Sequence, residues 1–456
     1  MAGPTPVSAL IHAATMVKAG VYFIARILPI LHYVAWTMGY GEVFAFFYVV
    51  AIIGAFTTFL AGTQAMVAKE LKRILAYSTI SQIGYMMLGL GVAGLIKDYV
   101  LGLAAAIFHL MSHAVFKALL FLSAGSVIHV AETKNVYEMG GLRRYMPITF
   151  YSMLIGALAL AGVPPLSGFW SKDAVLLACA LSGKIVPLIL GLATAGVTMF
   201  YSLRMIGLIF LGNKSEHLKG LEEEGHHLHE VHPVMWVPYA ILAGLSIAIG
   251  ISGPFLEKFL HHMLALNLLS QRGAYLELSM GWSIKELAES EGSMMWHVVM
   301  PGLSVVMLLL GAVPAYILYV TRSTSPEKLV REKPLLSSLY QFLRMRWYIN
   351  PMYYAVFVDG LIGLSRGVYA YIEDMILEGF NNKFAESFKA VSSSFFRYLE
   401  KYTFEGFNNL MVVFFKAASS ILRKAQTGLI SINVIEMVIG MLLLTLLMLG
   451  FVIGGM

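Results

Sequence analysis

Apolar residues run through this 456-residue chain in long blocks separated by short polar connections. Hydropathy divides it into about nine spans, near 8–30, 43–68, 75–96, 101–130, 147–182, 185–212, 235–257, 296–320 and 430–454. Each is roughly 20 residues or more, the length at which a helix crosses the hydrocarbon core of a bilayer. Three connections are long. Residues 213–233 are acidic and His-rich, 258–295 are moderately polar, and 321–429 change period altogether. In that last segment Phe384, Phe388, Val391, Phe395, Tyr398 and Tyr402 recur at intervals of 4, 3, 4, 3 and 4. Lys383, Glu386, Lys389, Ser393, Arg397 and Glu400 lie off the stripe. This is the period of an amphipathic helix. Helical from about Tyr353 to Lys424, it extends about 105 Å at 1.5 Å per residue. That exceeds the width of the bundle, so the segment is expected to lie along the membrane interface and touch neighbouring subunits. The last span then anchors its far end. Glu-Gly-Phe-Asn-Asn occurs at 378–382 and again at 405–409, a local repeat within the surface helix.

Composition agrees with the pattern. The chain is 58% hydrophobic and 13% charged, where a soluble domain has about 25% charged residues. The expectation is an all-α polytopic membrane protein. A single cysteine, Cys179, excludes a disulfide framework and a thiolate metal cluster. The net charge of +6 reads as loop Lys and Arg, with no nucleic acid as partner. Lys69, Lys72, Arg73, Lys134, Arg143, Arg144, Lys214, Lys219, Arg322, Lys328, Arg331 and Lys333 fall on one side. Only Lys97, Lys184, Lys258, Arg272 and Lys285 fall on the other. The first side is therefore expected to be cytoplasmic, with the amino terminus and the lateral helix. No basic leader precedes the first span, which is expected to direct insertion itself.

The exceptions to the apolar pattern carry the chemistry. His109, His113 and Lys117 recur at i, i+4 and i+8 in the fourth span. At 100° per residue they form one stripe about 80° wide and about 12 Å long. A lysine at a helix centre costs at least about 2.5–3.5 kcal/mol in lipid, so the stripe should face a polar path inside the bundle. His12 and Lys18 add titratable groups to the first span; Lys18 is too deep to snorkel easily and is expected to be buried. The fifth span is interrupted at Gly162-Val163-Pro164-Pro165-Leu166-Ser167-Gly168, and Lys172 and Asp173 follow at once. Pro-Pro frees backbone groups that survive at membrane depth only inside protein or beside water. Broken helices with adjacent charges mark ion pathways. Arg204 in the sixth span is expected to pair with a carboxylate or cap a cavity. Glu222, Glu223 and Glu224 with His226, His227, His229 and His232 lack zinc-site spacing and read as a solvated acidic loop.

Several stretches are then familiar. Pro4–Val17, Lys72–Tyr85, the His109/His113/Lys117 run and Ser167–Asp173 resemble the signatures of the antiporter-like subunits of respiratory complex I. These motifs are long and specific, and they cover roughly residues 2–210. A long amphipathic helix before a single last span is similar to the subunit L, or chain 5, branch and its counterpart in the archaeal F420H2 dehydrogenase. Multisubunit sodium/proton antiporters are related, but tend to have Gly-Lys-Glu where this chain has Ser171-Lys172-Asp173. Family members have roughly sixteen spans, built partly as two inverted repeats. This chain matches the last helix of the first repeat, the second repeat and the carboxyl-terminal extension. The amino-terminal spans, with their intramembrane Glu and partner Lys, have no counterpart, as in a fragment, a split gene or a misplaced start. Lys18 stands where an uncharged residue is expected.

The resemblance implies four regions: an antiporter-like module at 1–212, additional spans at 213–320, the lateral helix at 321–429 and an anchor at 430–456. It implies proton export across a prokaryotic plasma membrane, driven by quinone or methanophenazine reduction elsewhere in a complex. His12, His109 and His113 would relay, since imidazole titrates near neutrality. Lys117 would be the central carrier, and Lys172 beside Asp173 would gate release; Lys18, Lys72 and Arg204 are auxiliary. No cofactor is expected in this chain; iron–sulfur clusters, flavin and quinone belong to partner subunits. The expected partners are M-, N-, K- and J-like membrane subunits, the lipid bilayer and protons. A sodium/proton antiporter subunit, or a bracing fragment with a silent channel, is the alternative.

Overall fold

The computed structural model describes residues 3–271, 291–399, 404–425 and 430–453. Every regular element among them is a helix, and the one strand-like pairing is an isolated bridge between Glu70 and Asn135. Two compact units are present, residues 1–349 and 350–456.

The first unit is the helix bundle. Its helices are α1 (Thr5–Ala13), α2 (Ala19–Trp36), α3 (Glu42–Val67), α4 (Leu71–Ala93), α5 (Tyr99–Ala131), α6 (Pro147–Ala161), α7 (Ser167–Leu181) and α8 (Ile185–Phe210). They continue with α9 (Glu216–Glu223), α10 (Pro233–Ile251), α11 (Gly253–Gln271) and α12 (Glu291–Ala315). Seven helices among the described residues are long and apolar enough to cross a membrane. One of them, over 346–394, belongs to the segment read above as amphipathic and lateral.

The bundle is centred on α5, which packs on α1, α4, α6, α7, α10 and α11. It is 33 residues long, opened by the Asp98 carboxylate accepting from Val100 N at 3.1 Å. Small residues let the neighbouring backbones close up. A Cβ on Gly84 of α4 would lie 2.7 Å from both the Gly54 carbonyl oxygen and the Thr58 nitrogen of α3. Thr58 Oγ1 donates to Ser81 O at 2.5 Å and Ser81 Oγ to Thr58 O at 2.8 Å across the same seam. This is the small-residue packing expected where lipid removes the hydrophobic drive between helices.

The structure corrects several expectations. The first predicted span is not one helix: α1 ends at Ala13, a 3-10 turn covers Met16–Lys18, and α2 begins at Ala19. The connection over 258–295 is helical to Gln271, and residues 272–290 lie outside the described ones. The acidic connection holds α9, and Glu230 within it caps α6 by accepting from Ile148 N at 2.8 Å and Thr149 N at 3.2 Å. The fifth span is broken where Pro-Pro predicted, into α6 and α7.

In the second unit, residues 350–399 are continuously helical with π-helical stretches at Tyr354–Val358 and Tyr369–Glu378. That gives about 75 Å at 1.5 Å per residue; residues 400–403 lie outside the described ones. Helices Phe404–Ala425 and Ile430–Ile453 follow. None of the side chains described in this unit is buried. Phe380, Phe384, Phe388 and Val391 form an exposed row, and Phe380–Phe384 and Phe384–Phe388 stack at 5.9 and 6.1 Å. Tyr402 of the predicted stripe lies outside the described residues.

Candidate functional site

The break between α6 and α7 creates the first part of the site. Gly162 closes α6 in the left-handed region at φ 89°, where a side chain is strained, and Gly162 N and Val163 N both return to Leu158 O at 3.0 Å. The last carbonyls of α6 then have no helical partner. Lys172, on the second turn of α7, takes them: Nζ donates to Leu160 O at 2.7 Å and Ala161 O at 3.2 Å. A cation at the negative end of a helix is favourably placed. The ammonium also lies 5.3 Å from the centroid of the Tyr85 ring.

Beside it, Ser171 connects α7 to α5. His109 Nδ1 lies 2.9 Å from Ser171 Oγ, and His109 Nε2 lies 3.0 Å from Gln82 Oε1 on α4. Two turns along α5, Lys117 Nζ donates to Ser78 Oγ and, at 3.3 Å, to Leu75 O. Tyr201 on α8 is aimed at Ser78, Gln82 and Thr198 without completing a hydrogen bond to any of them. The side chains of His109, His113 and Lys117 are all fully buried. The predicted stripe therefore faces into the bundle, and α4, α7 and α8 supply its other wall.

His113 lies among His12, Lys18, Lys117 and His109, and neither of its ring nitrogens has a hydrogen-bond partner. His12 stacks on Phe121 at 5.3 Å and leaves Nδ1 unpartnered. Lys18 reaches α5, donating to Leu110 O at 2.9 Å. The amide nitrogen of Gln82 and the Tyr201 hydroxyl are likewise buried and unpaired. Buried polar groups normally find partners. A run of unused donors and acceptors around titratable groups is what ordered water satisfies.

Three predicted residues sit apart from this line. Lys72 Nζ donates to Gly3 O at 3.1 Å near the start of α4. Arg204 meets no carboxylate: Nη2 donates to Ala68 O at 2.9 Å and to Tyr137 OH at 3.1 Å, and the guanidinium packs on the rings of Tyr137 and Tyr319. Of the two expectations for Arg204, a carboxylate partner or a cap on a cavity, the first finds no carboxylate among the described residues; aromatic faces and a helix-end carbonyl accommodate the charge. Asp173 is next to Lys172 in sequence, but helix geometry turns its carboxylate outward to α12, where Oδ1 accepts from Ser304 Oγ at 2.9 Å. No ion pair joins Lys172 and Asp173. Sequence reasoning missed Ser78, Gln82, Tyr85 and Tyr201 as members. The first three recur at i, i+4 and i+7 on α4, the same helical signal that exposed the α5 stripe.

Chemically, the site holds two buried lysines, Lys172 on the Leu160 and Ala161 carbonyls and Lys117 on Ser78 Oγ and the Leu75 carbonyl, beside the Ser171–His109–Gln82 hydrogen bonds and, among the described residues, with no carboxylate in ion-pair contact. No cluster of three metal-ligating side chains is present among the described residues.

Comparison with known proteins places this architecture. Residues 1–198 match the family model described as NADH:quinone oxidoreductase/Mrp antiporter, TM. NAD(P)H-quinone oxidoreductase chain 5 of Picosynechococcus sp. is 38% identical over 392 residues, 81% of this chain and 54% of the relative. F(420)H(2) dehydrogenase subunit L of Methanosarcina mazei is 37% identical over 394 residues, 83% of this chain and 55% of the relative. NADH-quinone oxidoreductase subunit L of Rickettsia felis is 43% identical over 256 residues, 56% of this chain and 36% of the relative. The chain thus spans about half the length of the curated relatives it matches. Among solved structures, one of the Mrp complex from Dietzia sp. aligns over 56% of this chain and 52% of its own, at 24% identity and TM-score 0.48. Over residues 1–198 the all-α bundle is thus similar to the NADH:quinone oxidoreductase/Mrp antiporter transmembrane family.

Proposed function

We propose that this chain is a proton-translocating membrane subunit of a complex I-like respiratory dehydrogenase. It would couple quinone or methanophenazine reduction in partner subunits to proton export. Those partners would carry the flavin and iron–sulfur clusters, and no electron would pass through this chain. The names of the relatives support the assembly. The observation that carries the reading is the pair of buried hydrogen-bonded stretches, Ser171–His109–Gln82 next to Lys172 in sequence and Ser78–Lys117, with the unpaired Tyr201 hydroxyl beside them.

A proton entering from the basic, cytoplasmic side would reach Lys117 by way of His12 and water held among the unpaired groups. It would pass along Ser78, Tyr201, Gln82 and His109 by hydrogen-bond exchange to the Lys172 amine, and leave through Asp173. His113 and Lys18 would set the field around that path, with Lys72 and Arg204 outside it. Moving one charge against 100 mV costs about 2.3 kcal/mol, so modest electrostatic switching at the lysines suffices. The lateral helix, with no described side chain buried within its own unit, would rest on neighbouring M-, N-, K- or J-like subunits and lipid. The membrane would be the plasma membrane of a prokaryote.

The test is Lys117→Ala in the assembled complex, reconstituted in vesicles with electron donor and quinone. The expected outcome is oxidoreductase activity with fewer protons translocated per electron pair. Full proton pumping by that variant rejects the reading, and pumping that follows sodium without an electron donor assigns the chain to cation exchange instead.

A further inference from the structure

The proposed path ends, in sequence terms, at Asp173. The fold does not end there. Helix α11 begins one residue after α10 and packs on both α5 and α7. The end of α10 that precedes it is pinned to α7, because Trp170 Nε1 donates to Gly250 O at 2.8 Å. Glu257 and His261 lie one turn apart on α11, the helix packed against α7, which carries Asp173. Glu257 lies within electrostatic reach of Asp173 and His261, with His297 of α12 and Lys258 of α11 also facing it. His297 faces Asp173 as well. His261 Nε2 then lies 3.2 Å from Oδ2 of Asp98, in the turn between α4 and α5. That last pair is open to the surface: the side chains of His261 and Asp98 are 29% and 36% exposed.

We infer that Asp173, Glu257, His261 and Asp98 form an exit ladder that carries protons from the buried lysine line to the outer face. The inference rests on the proton-path reading above.

The chemistry runs in balanced steps. The Lys172 ammonium gives a proton through intervening water to the Asp173 carboxylate, which faces α12, and becomes the free amine. Asp173 passes it, directly or through one water, to Glu257, and Glu257 to the His261 imidazole. The imidazolium releases it to the exterior, with Asp98 accepting its other hydrogen bond and orienting the ring. Each group returns to its starting form, and one proton has moved. Carboxylates and imidazole span the range between a buried amine and bulk water, where lysine alone would hold its proton too tightly once near solvent. The ladder also explains two features that packing does not ask for. One is a glutamate between Asp173 and His261 on the α11 face turned to the bundle. The other is Asp98 serving two partners, capping α5 through Oδ1 and orienting His261 through Oδ2.

The test compares Glu257→Gln, His261→Ala and Lys117→Ala in the assembled, reconstituted complex. Glu257→Gln is expected to slow proton translocation roughly tenfold or more, as loss of a positioned acid–base group does. Glu257→Asp should restore much of it. His261→Ala should pump slowly and recover on addition of imidazole to the outer solution, and its pH profile should shift. A merely structural role would respond to neither imidazole nor a conservative carboxylate. Parental pumping by both Glu257→Gln and His261→Ala, with Lys117→Ala defective, overturns the ladder and leaves the proton path standing. Parental pumping by Lys117→Ala removes the path and the ladder with it. Defects that resist both imidazole and Glu257→Asp, with less complex assembled, also overturn the ladder.

Discussion

Gln82 shows how much a single uncharged residue decides. Its carbonyl oxygen lies 3.0 Å from His109 Nε2, while its amide nitrogen is buried without a partner. Gln82→Leu keeps the volume and the helix but removes the group facing His109. Leaving a buried imidazole nitrogen unpaired costs about 1–3 kcal/mol. The expected result is a bundle that still folds, with Tm lowered and proton pumping strongly reduced in the reconstituted complex. An unperturbed pumping rate would show that protons bypass the His109–Gln82 step. The two rows of the site differed in how well they could be read from sequence. His109, His113 and Lys117 stand out because charge in an apolar helix is costly, whereas Ser78, Gln82 and Tyr201 pass as ordinary helix residues until α4 and α8 are brought against α5. Arg204 was legible as buried but not in its partner, since rings and carbonyls can take a guanidinium where no carboxylate is near.

At the scale of elements, position depends on how closely α3 and α4 approach, because α4 carries Ser78, Gln82 and Tyr85. Any side chain on Gly84 runs into backbone atoms of α3, which cannot rotate away. Gly84→Val is therefore expected to push α4 off α3, costing about 1–3 kcal/mol in overpacking and stretching the Ser78–Lys117 hydrogen bond. Thermal unfolding in detergent reads the first effect and pumping the second. Gly39→Ala, with nothing within 4 Å of the added Cβ but φ at 78°, is the contrasting control, expected to cost local backbone strain and leave pumping alone. Element breaks were legible where the covalent chain announces them. Pro164-Pro165 predicts the α6–α7 interruption, and the structure adds its use, a carbonyl cradle for Lys172. The interruption between α1 and α2 carries no proline, so hydropathy alone runs straight across it. Its consequence is tertiary: the turn lets Lys18 reach Leu110 O on α5.

At the scale of the whole molecule, the two units differ in how they meet the cost of ordering. The bundle buries a core around α5, but residues 350–399 form a helix of about 75 Å with none of its described side chains buried. A helix gains little from backbone propensity alone, and most helical stability comes from packing one face. We propose that the row Phe380, Phe384, Phe388 and Val391 is covered by lipid or by another subunit, and the two coverings respond differently to mutation. A seam against protein loses about 1.5–3 kcal/mol for each large apolar side chain taken out of it. Replacing all four by Ser is expected to release the chain from co-purifying membrane subunits while the unfolding temperature of the bundle stays unchanged, because none of the four belongs to its core. Co-purification at the parental level, with the segment's insertion into vesicles weakened instead, would assign the row to lipid. The amphipathic period that singles out this helix is legible in the sequence because it depends on local spacing alone. What covers the helix is not, because a stripe of phenylalanines has the same spacing against acyl chains as against a neighbouring protein.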